Sequence, residues 1–302
     1  MEHRDGRRDD GAPAPRGRDR GHAALVRERS HRDREVRPAT LIAAHRGGGR
    51  LWPENSLRGF RESLALGADL VELDVHLATD GALVVIHDAT LRRTTDRRGR
   101  VRTRTAAELR RARLRGPDRR LTTEHVPMLD EVLAVVAAAN GGVLVEVKVP
   151  GRGLGVRYFP RSRIRPGARY KGIEERVIAA LSHAGVLERA NVMSFNPAVV
   201  ERARELVPRL RTTLLVSTMH VRLARARPAD TVTWALRFGA TDVGLKHTLI
   251  DASVIDAARA AGVSVGAWTV NDEPEMRRLI ALGVDVLTSD RPDLALRTLG
   301  RA

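Results

Sequence analysis

Cysteine is absent from the 302-residue chain. Disulfides, thiolate metal sites and cysteine nucleophiles are therefore excluded, and the redox compartment stays open. Aromatic residues make up only 3%. That is too few for the stacking platforms of a nucleic-acid-binding protein, and no nucleic-acid-binding motif accompanies them. Long apolar runs are missing as well. No segment approaches the ~18 apolar residues of a membrane span. In the first 38 residues the longest apolar stretch is Ala23-Ala24-Leu25-Val26, short of the about 7–15 residues in a signal-peptide core. These absences predict a soluble protein, cytoplasmic by default. Lysine is rare beside arginine, so each lysine at a chosen place carries weight.

What is present is a large core and an excess of positive charge. The hydrophobic fraction is 42% and the formal net charge +16. Residues 1–38 mix Arg, Asp, Gly and Pro and predict a disordered basic tail, with a folded domain over 39–302. Arg92 to Arg120 is dense in arginine, opposed only by Asp96, Glu108 and Asp118, and Arg152 to Lys171 contains no acid. Such segments attract phosphate-bearing partners and predict weak contact with an anionic membrane surface. Codon bias alone accounts for the arginines of the tail.

One pattern recurs in "FRESLALGADLVELDV", "WALRFGATDVGLK", "VIDAARAAGVSVGAWTV" and "MRRLIALGVDVLTSD". A helical stretch ends at glycine, which takes the left-handed conformation past a helix end without steric cost. A Val- and Leu-rich run follows, as in parallel strands buried on both faces. Strands are expected near 41–45, 70–75, 143–147, 191–194, 212–216, 241–245, 263–268 and 284–288, with 83–87 as an extra strand beside them. From residue 39 the length suits a (β/α)8 TIM barrel, typically about 250 residues. A doubly wound open sheet is the alternative, but Gly47-Gly48-Gly49 does not fit a G-x-G-x-x-G turn.

In such a barrel the active site lies at the C-terminal strand ends. Those ends carry His45-Arg46, Glu72 and Asp74, His87-Asp88, Glu146 and Lys148, Ser194-Phe195-Asn196, Lys246, Trp268 and Asn271, and Asp290. Period-two alternation turns Glu72 and Asp74 to one face of their strand, and Glu146 and Lys148 to one face of theirs. Carboxylates converging in a lumen repel one another unless a cation sits among them. Oxygen donors suit a hard cation, Mg2+ or Ca2+. A buried Glu146–Lys148 ion pair, a core His87 and a turn residue at His45 are the plainer readings of each piece taken alone.

The ordered set "AHRG" (44–47), "PENS" (53–56), "VELDVHLATDGALVVIHD" (71–88), "LRRTTDRRGRV" (91–101), "VPMLDEVL" (126–133), "LVEVK" (144–148), "SFN" (194–196), "AWTVN" (267–271) and "GVDVLTSDRPD" (283–293) resembles the glycerophosphodiester phosphodiesterase family. The resemblance implies a TIM barrel with a short insertion after the second strand, here residues 89–125. It implies hydrolysis of glycerophosphodiesters to glycerol 3-phosphate and an alcohol, with one divalent cation, Mg2+ or Ca2+, as cofactor. By position, Glu72, Asp74 and Glu146 would hold the metal. His45 and His87 would form the general acid–base pair, with the two roles unassigned between them. Arg46 and Lys148 would hold the phosphate, Trp268 would line the substrate pocket, and Asn55 would organise the first loop at the phosphate. Ser56 stands where the family usually has threonine. The basic stretch 151–172 is longer than the family pattern and reads as a cover for a charged head group, a membrane contact or a disordered insert.

Two other readings remain. One keeps the barrel and changes the substrate, giving lysophospholipase D-like action at a membrane surface. The other is a basic nucleic-acid-binding protein. The leading reading has a small-molecule glycerophosphodiester as partner and no specific nucleic acid.

Overall fold

The structure, a computed structural model, describes residues 40–150, 156–159 and 163–301. The tail expected over 1–38 lies outside them. Along the chain the elements are β1 (Leu41–Ala44), α1 (Leu57–Ala65), β2 (Leu70–Leu77), β3 (Leu83–Val85), α2 (Ala106–Leu109), β4 (Arg113–Arg115), β5 (Leu121–His125), α3 (Leu129–Ala138), β6 (Gly142–Val147), β7 (Val156–Phe159), β8 (Arg163–Pro166), α4 (Ile173–His183), β9 (Ala190–Ser194), α5 (Pro197–Leu206), β10 (Arg211–Val216), α6 (Thr218–Ala224), α7 (Asp230–Arg237), β11 (Asp242–Lys246), α8 (Ala252–Ala261), β12 (Ser264–Trp268), α9 (Glu273–Leu282), β13 (Val286–Ser289) and α10 (Pro292–Thr298).

Eight parallel strands run in the order β1-β13-β12-β11-β10-β9-β6-β2, and pairing of β1 with β2 closes them into a barrel. The extra strand expected near 83–87 is β3. It pairs antiparallel with the end of β2, Val75 opposite Val85, and stands outside the closed ring. The glycines of the recurring pattern end helices as expected: Gly262 and Gly283 cap α8 and α9 at φ 66° and 86°.

Two apolar shells lie between the strands and the helices, one around Leu73, Val145 and Leu133, the other around Leu245, Val265 and Leu279. The apolar filling of the lumen is far smaller. Ala43, Leu144, Met193 and Leu215 form it, with Leu70, Phe195, Trp268 and Val286 packed against them. Above that layer the inward positions turn polar. The β2–β6 register sets Asp74 opposite Glu146, and the β6–β9 register sets Glu146 opposite Met193.

The insertion after β2 builds its own core from Leu91, Val101, Leu109 and Leu114, with the β4–β5 hairpin at its edge. Within the basic stretch 151–172, β7 and β8 form a two-stranded antiparallel ribbon. Ile164 is buried in the second shell, and the Asn196 amide donates to the carbonyls of Gly167 and Ala168. Among the described residues no helix is long and apolar enough to cross a membrane.

Candidate active site

The first barrel loop is tightly constrained. Arg46 and Asn55 both take left-handed backbone angles, φ 51° and 56°, each a cost of roughly 1–2 kcal/mol for a residue with a Cβ. Hydrogen bonds hold the conformation. The Asn55 amide N–H donates to the Arg46 carbonyl at 2.9 Å, and the Arg46 N–H donates to Glu72 Oε2 at 3.0 Å. Gly47 has φ 71°, and a Cβ there would come within 2.9 Å of the Gly59 and Phe60 backbone, so only glycine lets α1 approach. Ser56 caps α1 by accepting from the Gly59 N–H at 2.9 Å. The hydroxyl that does this is common to serine and threonine, so the departure from the family pattern keeps the cap.

Glu72, Asp74 and Glu146 converge as alternation predicted. Each offers an oxygen, and these oxygens lie within 4.8 Å of one another. All three are buried, at 3%, 0% and 9% exposure. Burial, then the charges of Asp74 and Glu146, push the Glu72 carboxyl well above its usual range. Burial opposes ionisation of Asp74 too, but Lys148 and Arg46 outweigh it and hold that carboxyl well below its usual range. The Lys148 ammonium stands 2.7 Å from Asp74 Oδ1 and 2.6 Å from Glu146 Oε1. A dry group of three carboxylates thus draws the nearest cation to itself. Its all-oxygen donor set fits a hard divalent ion.

The histidines share a design. His45 Nδ1 lies 2.6 Å from Asp290 Oδ1, and Asp290 in turn accepts from the Asn271 amide at 2.7 Å. His87 Nδ1 lies 2.7 Å from Asp88 Oδ1. An ionised carboxylate only accepts, so Nδ1 carries the proton in both rings and Nε2 is the free nitrogen. The His87 hydrogen bond also keeps the Asp88 carboxyl below its usual range. Arg93 bridges Asp88 and Glu54, and Glu54 accepts from Arg46 Nη1 at 3.1 Å, so an ionic chain joins His87 to the first loop.

His45, Arg46, Glu72, His87, Glu146 and Trp268 line one cavity of about 120 Å³. Phe195 and Trp268, edge to face at 5.5 Å between ring centres, form its apolar wall. Two of the positions expected at the phosphate are placed differently. Asn55 is 1% exposed and gives its amide to Asp74 Oδ2 at 2.9 Å, so it orients that carboxylate instead of lining the cavity. Lys148 is turned to the carboxylates. Lys246, level with Trp268 in the β11–β12 register, does not line the cavity.

Sequence reasoning overlooked His76, although alternation along "VELDVHL" already puts it on the face of Glu72 and Asp74. Burial pushes His76 down to about 4. Its Nε2 donates to the His87 carbonyl at 3.1 Å, and its Nδ1 faces the Tyr170 hydroxyl at 3.3 Å. Glu54 and Arg93 were overlooked too. Their partners lie 5 to 39 residues away, along loops whose path no periodicity reveals.

The closed barrel and the polar cavity at the C-terminal ends of its strands define a barrel enzyme. Residues 45–294 match the Glycerophosphoryl diester phosphodiesterase family. A glycerophosphodiester phosphodiesterase from Caldanaerobacter subterraneus subsp. tengcongensis is 31% identical over 84% of this chain and 95% of its own length. Among solved structures, a glycerophosphodiester phosphodiesterase from Agrobacterium tumefaciens superposes with TM-score 0.66 at 26% identity, covering 85% of this chain and 99% of that one. An Oleispira antarctica phosphodiesterase, solved in complex with the product sn-glycerol-3-phosphate, superposes with TM-score 0.69 at 26% identity over 87% of this chain and 97% of its own. The chain belongs to the glycerophosphoryl diester phosphodiesterase family.

Proposed function

We propose that the protein hydrolyses glycerophosphodiesters to glycerol 3-phosphate and an alcohol, with one divalent cation, Mg2+ or Ca2+, held by Glu72, Asp74 and Glu146. One observation carries this reading: two histidines with Nδ1 bound to a carboxylate line the same cavity as Glu72 and Glu146. When bound, the cation would neutralise the diester anion and polarise its phosphorus–oxygen bonds.

The residues divide the remaining work. One free Nε2 takes the proton of the attacking oxygen, and the other returns a proton to the departing alkoxide, so water is added across the ester bond. Asp290 and Asp88 hold the two rings in the tautomer this needs and stabilise the imidazolium when it forms. Arg46 lies 3.3 Å from Asp74 by Nε and lines the cavity, where its charge meets the phosphoryl oxygens. Lys148, 2.7 Å from Asp74 and 2.6 Å from Glu146, would be released toward the phosphate if a divalent cation took over the neutralisation of those carboxylates. Phe195 and Trp268 exclude water from one side, which strengthens every charge interaction inside.

The test is glycerol 3-phosphate release from glycerophosphocholine and glycerophosphoethanolamine, with EDTA and then with Mg2+ or Ca2+ restored. Release that stops with EDTA and returns with the ion is the expected result. Undiminished release in EDTA would remove the metal from the mechanism. No release with any ion, from folded protein, would remove the activity.

A further inference from the structure

Beyond Asp88 a second and larger cleft opens, of about 750 Å³, lined by six arginines against two aspartates, Asp88 and Asp96. It shares Asp88 with the His87 arrangement, so it begins where the candidate active site ends. Its arginines are not uniformly neutralised. Arg93 is committed to Asp88 and Glu54, and Arg97 lies 3.7 Å from Asp96. Arg92, Arg98 and Arg119 form no ion pair among the described residues. The Arg115 guanidinium is held by two backbone carbonyls, Thr95 at 3.1 Å and Arg119 at 3.1 Å. It is a fixed cation with no carboxylate against it. The walls stand on the insertion's own core, around Leu91, Val101 and Leu114.

We propose that this cleft reads a second anionic group on the alcohol portion of the substrate, so that the enzyme favours glycerophosphodiesters whose head group carries its own phosphate. This rests on the hydrolytic reading above. The scissile diester occupies the cavity beside His45 and His87. A head group leaving past His87 passes over Asp88 into a cleft whose uncommitted guanidinium groups match phosphate by charge and by paired N–H donors. A choline head group gains nothing there, because its cation meets arginine. Arg92, Arg98 and Arg119 line this cleft and not the cavity of His45 and His87, so they act on selection and not on the bond-breaking step.

The experiment compares glycerophosphoinositol 4-phosphate with glycerophosphoinositol, two substrates that differ by one phosphate, and uses glycerophosphocholine as control. The full-length wild type and an Arg92→Gln/Arg98→Gln/Arg119→Gln variant are each assayed at low salt. The wild type is expected to prefer the phosphorylated substrate by about tenfold in kcat/KM, the size of one charge-assisted contact. The preference should reside in KM and shrink as NaCl is raised. In the variant it should vanish, while turnover of glycerophosphocholine, which also reports intact folding, stays at the wild-type level. Equal kcat/KM for the inositol pair in the wild type would overturn the proposal, as would a preference that survives in the variant. So would equal kcat/KM together with variant-sensitive sedimentation on phosphatidylglycerol vesicles, which would assign the cleft to a lipid surface. Failure to release glycerol 3-phosphate from any of the three substrates would overturn the hydrolytic reading itself.

Discussion

Asp242 at the N-terminal end of the barrel and Asp74 near the other end are both buried, at 4% and 0% exposure, yet their surroundings are opposite. Asp242 accepts from the Asn191 amide at 3.1 Å and from the Thr241 hydroxyl, and pairs with Arg211. Its neighbours behave alike. Asp69 takes the Ile42 N–H at 2.8 Å and Arg301 at 2.7 Å, and Asp285 takes the Val265 N–H at 2.7 Å. Each of these acids has its own donors and ties one strand to the next. At the C-terminal end Asp74, Glu72 and Glu146 face one another and compete for Arg46 and Lys148. The lower acids finish the fold. The upper ones hold a concentration of charge that folding alone does not require.

Removing an acid should therefore have opposite consequences at the two ends. The largest effect is expected for Glu72→Gln. Turnover with Mg2+ or Ca2+ should fall by about 10³-fold or more, beyond the loss of a single transition-state donor. Its Tm in EDTA should equal or exceed that of the wild type, because a neutral amide replaces a carboxyl that burial and the charges of Asp74 and Glu146 already push toward its neutral form. Thermal unfolding in EDTA and metal-dependent kinetics check the two halves; retained turnover would remove Glu72 from the metal site. Next come His45→Ala and His87→Ala, each expected to lower kcat by about 10²–10⁴-fold, the usual weight of general acid–base catalysis. Wild-type kcat in either would end that residue's role.

His76 sharpens the comparison, being a third inward residue of β2 that is buried without charge. The unfolded chain protonates it from about 6.5, whereas the native state resists until about 4. The unfolded state binds more protons in that window, so stability should fall on acidification from pH 6.5 to 4 and be insensitive to this group above. The loss is on the order of 3 kcal/mol, at about 1.36 kcal/mol per pH unit. Denaturant titrations of the wild type and His76→Gln across this range should diverge in slope; parallel curves would mean His76 is not held neutral. At the lower end Asp242→Asn should cost roughly 1.5–3 kcal/mol, as for a charge-assisted hydrogen bond, with kcat unchanged in metal-saturated protein. Ser56→Ala, which removes the cap of α1, should cost only about 1 kcal/mol, and chemical denaturation would resolve it.

Much of this was legible from the chain alone. Glycine past the ends of α1, α7, α8 and α9, with β-rich runs after it, announces βα units, because helix ends and buried strands have residue preferences that act locally. Alternation likewise places Glu72 with Asp74 and Glu146 with Lys148, since side chains on a strand point alternately to its two faces. It would have placed His76 as well. The quoted motifs identify the family for the same reason: each is a continuous local stretch. The contacts that make a site of these stretches are not local. His45 meets Asp290 across 245 residues, and Asn55 meets Asp74 across 19. Arg46, Glu54, Arg93 and Asp88 form their chain between the first loop and a segment beside the insertion's own core. Lys148 was expected at the phosphate and instead lies between two carboxylates. Sequence determines which faces are apolar and which strand ends are charged, because those follow from periods of two and 3.6 residues. Closure of the barrel decides which charges meet, because distances between strand ends are set by packing and register and by no pattern within one strand.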